Sequence, residues 1–188
     1  MNPLFTSALT GFFVFSGVGG FATSTPETQI APPEPTYKSY TVSMTGYNAV
    51  PEQTDDTPFQ TSIGAYTNPE IIVARSKDLA DELPYGTVIR ISQAEVKHGC
   101  EYELVEEYIG LRVVADAMHP RKRNQIDVLL DTKPIINSKT RKLNAAQALG
   151  YCRENIVIEV IGKIDTRAMP KSQKELKDMM GVNALAVR

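Results

Sequence analysis

The sequence predicts a mainly β domain, a small closed barrel of six short strands with short helices, and three observations carry that prediction. Runs rich in Val, Ile or Tyr recur at 40–46, 70–74, 87–92, 111–116, 125–130 and 156–161, each of strand length and bounded by turn-forming residues. Helix start and stop signals are few over the same stretch. Roughly 125 residues with six strands and so little helix favour one sheet closed on itself over a doubly wound parallel sheet.

Taken in chain order, residues 1–22 come first and differ from the rest. They carry no charged side chain and hold five of the chain's six Phe, at Phe5, Phe12, Phe13, Phe15 and Phe21. The apolar run ends in Gly20-Phe21-Ala22, which puts the small residues Gly20 and Ala22 at the −3 and −1 positions of a signal-peptide cleavage site, so the segment reads as a secretory signal. Its length also matches a bilayer span, and an uncleaved membrane anchor is the second reading. Both place the remainder outside the cytoplasm. Residues 23–38 hold four Pro and hardly any large apolar side chains. Such a composition buries too little surface to offset its ordering entropy and reads as an extended linker.

The barrel is expected over 39–163. Between its strands, Ser76 is placed to cap a helix over 77–83 that ends before Pro84, and Asn144 to cap one over 145–149 that ends at Gly150. Residues 164–188 form a C-terminal tail with a short helix over 172–180, stopped by Gly181.

Charge excludes one class of partner. With 20 Lys+Arg against 22 Asp+Glu and a net charge of −2, no broad basic field exists to release counterions from a nucleic-acid backbone. The two cysteines, Cys100 and Cys152, are a disulfide candidate in an exported chain. His98, His119 and Cys100 lack the paired spacing of a zinc site, so no metal and no cofactor is expected.

The residues with chemical promise lie in 111–130. Two apolar strands flank a polar turn, and each carries one Asp near that turn, Asp116 and Asp127. Strict alternation would put Asp116 on a face with Arg112 and Val114, and Asp127 on a face with Leu129 and Asp131. Apolar neighbours and a second carboxylate raise a carboxyl pKa toward the range of a general acid, while Arg121, Lys122 and Arg123 in the turn oppose that rise.

This stretch resembles the signature of the three-aspartate (3D) domain family of bacterial cell-wall proteins, which includes the catalytic barrel of a membrane-bound lytic transglycosylase. The family pattern is a strand ending in Asp, a Gly-Gly-x-Ile-Lys-Gly loop, then Ile-Asp or Phe-Asp. Asp116 and Asp127 keep its separation of eleven, Lys122 falls on its Lys and Ile126-Asp127 on its Ile-Asp. In order along the chain, Thr45-Gly-Tyr47-Asn, Val50-Pro-Glu-Gln-Thr-Asp55, Thr61-Ser-Ile-Gly64, Leu83-Pro-Tyr-Gly-Thr87-Val and Ala148-Leu-Gly150 resemble further family segments. The chain departs from the family at Met118, His119 and Arg123, where the loop glycines stand. It departs again at Arg75, where the first of the three aspartates stands.

The resemblance implies a double-psi β-barrel that cleaves peptidoglycan glycan strands as a lytic transglycosylase, with a 1,6-anhydromuramyl product. It implies Asp127 as the single acid/base and Asp116 as its support. Tyr47, Thr61 and Lys122 would position the sugar. The alternative is a non-catalytic glycan-binding or wall-loosening module, related to barrels of expansin type. A third possibility is an interaction domain in which the two acids only order a hairpin. Fold alone does not choose among the three.

Overall fold

A computed structural model describes residues 36–54, 57–96, 99–138 and 141–182. The apolar segment 1–22 and nearly all of the Pro-rich linker lie outside the described residues, as do Asp55, Asp56 and His98. The described chain is mainly β. Its strands are β1 (Lys38–Tyr47), β2 (Ile72–Arg75), β3 (Thr87–Gln93), β4 (Leu111–Ala117), β5 (Gln125–Leu129), β6 (Ile135–Ser138), β7 (Arg141–Asn144) and β8 (Cys152–Lys163). The helices are α1 (Glu106–Ile109), α2 (Ala145–Leu149) and α3 (Gln173–Met179).

Six strands close into a mixed barrel in the order β1-β5-β2-β4-β3-β8. β1 runs parallel to β5 and β2 parallel to β4, while the other neighbours are antiparallel. All six strands expected from sequence lie in this barrel. Their order has an internal symmetry: exchanging β1, β2 and β3 for β4, β5 and β8 maps every neighbour pair onto a neighbour pair of the same sense. β6 and β7 pair separately as an antiparallel ribbon.

One apolar cluster draws on all six barrel strands and fills the barrel, with Val42, Met44, Val73, Ile89, Val114, Ile126, Val128 and Ile156 among its members. A second cluster lies on the other face of β1, β2, β4 and β5 and includes Tyr47, Ile72, Ala74, Val113 and Leu129. Leu176 of α3 is fully buried in it. Through α3, the described part of the C-terminal tail packs against this cluster.

Local chemistry explains where the helices begin. At α2, Asn144 accepts from the Gln147 N–H while the Gln147 side chain accepts from the Asn144 N–H, a complete capping box. At α3, the Ser172 hydroxyl accepts from the Glu175 N–H. The helix expected over 77–83 is instead a single 3-10 turn, Lys77–Leu79, with no cap from the Ser76 side chain. The Ser76 hydroxyl accepts from the Gln125 N–H at 3.1 Å, so it ties down the start of β5 and leaves the helix start uncapped.

Arg112 is the largest fully buried side chain. Its guanidinium donates to the carbonyls of Tyr108, Ile109, Pro69, Ile72 and Leu129, which joins β4 to the start of β2 and the end of β5. Burial pulls its pKa down to about 9, against the attraction of Tyr47 and Glu70, so it stays charged at neutral pH and needs those carbonyls as solvent substitutes.

Candidate active site

Asp127 on β5 is in register with Thr45 on β1 and with Ala74 on β2, and Ala74 is also in register with Asp116 on β4. Residues in register on neighbouring strands project to one face of a sheet. Thr45, Asp127, Ala74 and Asp116 thus form a row, with the two carboxylates separated by a methyl group.

Strict alternation misplaces Asp116. The β2–β4 register shifts between Val73 and Ala74, which pair with Val114 and Asp116, so Ala115 is an extra residue on β4. This bulge leaves Val114 inside the barrel and turns Asp116 to the opposite face, beside Asp127. Asp116 shares its face with Ala74 and not with Val114.

Asp127 keeps some exposure as a residue, but its carboxyl group is largely enclosed, and its pKa is raised to about 6. Burial is the largest cause. The Thr45 hydroxyl and the Lys122 charge pull the other way, and Asp116 adds a smaller upward push. Thr45 Oγ1 donates to Asp127 Oδ1 at 2.8 Å while accepting from Gln125 Nε2 at 3.0 Å, so Gln125 fixes which way the threonine proton points.

Asp116 is an acceptor on every side that the structure defines. Oδ2 receives the Tyr47 hydroxyl at 3.0 Å, and Oδ1 receives the backbone N–H of Ser62 at 2.9 Å and of Ala117 at 2.8 Å. Tyr47 is buried, and its pKa lies well above the usual phenol value. Burial is the main cause, followed by the charge and hydrogen bond of Asp116 and then the charge of Asp127, against Arg112. The phenol stays protonated and donates.

Thr61 and Lys122, also singled out from sequence, lie on the loop 57–67 and on the β4–β5 turn. Thr61 is buried in the loop 57–67, where its hydroxyl oxygen accepts from the Ala65 N–H at 3.1 Å. It braces the loop, and its neighbour Ser62 makes the contact to Asp116. Lys122 is exposed in the turn between β4 and β5, within electrostatic reach of Asp127. Asp78 accepts from the Asn124 N–H at 2.9 Å and so anchors that turn from outside the row. Cys100 and Cys152 are joined in a disulfide, which removes Cys100 as a metal ligand. Among the described residues no group of three or more His, Cys, Asp or Glu gathers as a metal site. Sequence reasoning missed Thr45, Gln125, Ser62 and Ala74 as partners of the acids. Their register signal is absent from the primary sequence, although Thr45 and Ser62 both lie in segments that resemble the three-aspartate family.

A separate cleft of about 1000 Å³ opens beyond the start of β2 and the end of β5, and neither Asp116 nor Asp127 lines it. The raised pKa of Asp127 beside a second carboxylate makes the row the better candidate for a reaction centre. The loop 57–67 links the two, with Ser62 on Asp116 and with Ala65 and Tyr66 in the cleft wall. In comparisons with known proteins, no protein-family model and no curated protein matches this sequence.

Proposed function

We propose that the chain is a cell-wall lytic enzyme that cleaves peptidoglycan glycan strands as a lytic transglycosylase. The observation that carries the reading is the acid row, in which Asp127, with its pKa raised to about 6, faces Asp116 across Ala74. A carboxyl group in that range is protonated below about pH 6 and still partly so toward neutral pH, and can give that proton up in a transition state. Protonated Asp127 gives its proton to the glycosidic oxygen as the bond to the anomeric carbon breaks. The resulting carboxylate takes the proton of the C6 hydroxyl of the same sugar as that oxygen bonds to the anomeric carbon. The product is a 1,6-anhydro sugar and no water is consumed. Attack within one sugar ring needs no second carboxylate to activate water, in contrast to the paired acids of ordinary glycosidases. Asp116, which accepts from Tyr47 and Ser62, flanks the reacting centre, and in this reading Lys122 would meet an anionic substituent of the sugar.

Two further observations support the wider reading. The self-mapping strand order is consistent with a double-psi barrel, in which two equivalent halves interlock. The Cys100–Cys152 disulfide is consistent with an extracytoplasmic location.

A non-catalytic glycan-binding or wall-loosening module is the second reading. It is favoured by the three donors that already engage Asp116 and by the position of the open cleft away from the acids. Incubation with purified sacculi followed by mass spectrometry separates the two. The lytic reading expects anhydromuramyl fragments that vanish with Asp127→Asn. Co-sedimentation with sacculi and no fragments supports the binding module, and neither result leaves an interaction domain.

A further inference from the structure

We propose that the cleft is a second carbohydrate subsite with Tyr66 as its stacking platform, so that the protein engages glycan chains several sugars long and not disaccharides. This rests on the glycan reading of the acid row and extends it. The Tyr66 ring is 70% exposed and stands in the cleft wall, where an apolar aromatic face gains nothing from the fold. The lining includes the polar side chains of Asn68, Glu70, Asp131 and Lys133; Asn68 donates to the Lys171 carbonyl and Glu70 accepts from the Gln173 N–H, and each keeps further hydrogen-bonding capacity. An apolar ligand would cover those groups without pairing them, and the charges of the lining balance, Glu70, Glu107 and Asp131 against Lys133, Arg167 and Lys171, so the cleft selects for neither a polyanion nor a polycation. A neutral polyhydroxylated ring satisfies both features, its C–H face on the aromatic ring and its hydroxyls on the polar groups. A volume of about 1000 Å³ exceeds the needs of one such ring.

The route from cleft to acids runs over the loop 57–67. Gln60 and Tyr66 are bridged across this loop, and the Thr61 carbonyl and hydroxyl hold Gly64 and Ala65, so the loop is internally tied. One part of it places Tyr66 in the cleft and another gives the Ser62 N–H to Asp116. Asp131 in the cleft is four positions along the chain from Asp127, a span of about 13 Å at strand rise. A disaccharide at the acids stops short of that distance and a longer chain covers it.

The test uses the full chain carrying Asp127→Asn, which prevents turnover, and calorimetric titration with N-acetylglucosamine oligomers of two and of six units. The hexamer is expected to bind about tenfold more tightly than the dimer, and Tyr66→Ala to erase that difference. Phe59→Ala is the control. Phe59 is 65% exposed, one position out of step with the Gln60–Tyr66 bridge and outside the cleft wall, and its loss is expected to leave the hexamer affinity unchanged. Equal affinity for the two oligomers, or a hexamer affinity indifferent to Tyr66→Ala, overturns the subsite. If the unsubstituted protein releases anhydro fragments while Tyr66→Ala changes nothing, the subsite falls and the lytic reading stands. Tyr66-dependent hexamer binding with no fragments from sacculi has the opposite meaning.

Discussion

Asp127 links protonation to stability in a direction that distinguishes it from a solvated strand-end aspartate. Its carboxyl group has a higher pKa in the fold, about 6, than the ordinary value near 3.8 that it regains on unfolding. The fold therefore binds this proton more tightly than the unfolded chain does. Its contribution is fully present below about pH 4 and is lost as pH rises to about 6, after which it levels off. Asp127→Asn removes the cost of ionising an enclosed carboxyl. The substitution is expected to stabilise the protein at pH 7.5 by up to about 3 kcal/mol, measured by denaturant unfolding, and to lose that gain by pH 4. A destabilised variant at pH 7.5 would mean that the ionised carboxylate is welcome where it sits. The same enclosure that costs stability is what keeps a proton available for transfer, and the Thr45 hydroxyl and Lys122 limit how far the pKa rises.

At the scale of elements, the site depends on a bulge, a loop and a docked helix. The extra residue Ala115 swings Asp116 to the face of Asp127, the loop 57–67 delivers the Ser62 N–H, and α3 seals the apolar cluster next to the row. The α3 junction offers a direct check. Gly110 has φ of +55°, and a Cβ there would lie 2.5 Å from Oε1 of Gln173, the first residue of α3. Gln173 also pairs with both backbone groups of Leu111. Gly110→Ala is expected to destabilise by about 2 kcal/mol, from backbone strain and the displaced glutamine together. Adding Gln173→Ala relieves only the steric part, so the double variant should be less destabilised than the sum of the two single ones. Additivity would place the whole effect in the backbone. The six barrel strands were legible in sequence because β-branched runs between turn residues are a local signal. The β6–β7 ribbon was not legible, since Ile-Ile-Asn-Ser and Arg-Lys-Leu-Asn show no apolar alternation and only Ile136 among them is buried. Of the site, the two acids and Tyr47 were legible from residue type and family-like spacing. Their convergence was not, because it depends on one inserted residue and on parallel pairings between strands far apart in the chain.

At the scale of the whole molecule, two long-range ties hold the barrel that positions the acids. Arg112 gathers carbonyls from β2, β5 and α1, and the Cys100–Cys152 disulfide closes a loop with a sequence separation of 52. In the chain-entropy account such a closure is worth about 4 kcal/mol. Reduction under mild conditions is expected to lower the unfolding midpoint by a corresponding amount, whereas an unchanged midpoint would deny the bond a stabilising role. The barrel in turn sets Asp127 and Asp116 on one face with Ala74 between them, and the proposed reaction needs Asp127 to begin each turnover protonated. The pH profile of anhydromuramyl release from purified sacculi tests that requirement most directly. The rate is expected to fall about tenfold per pH unit above roughly pH 6 and to be abolished by Asp127→Asn. A rate that stays flat from pH 5 to 8, or survives Asp127→Asn, would contradict it.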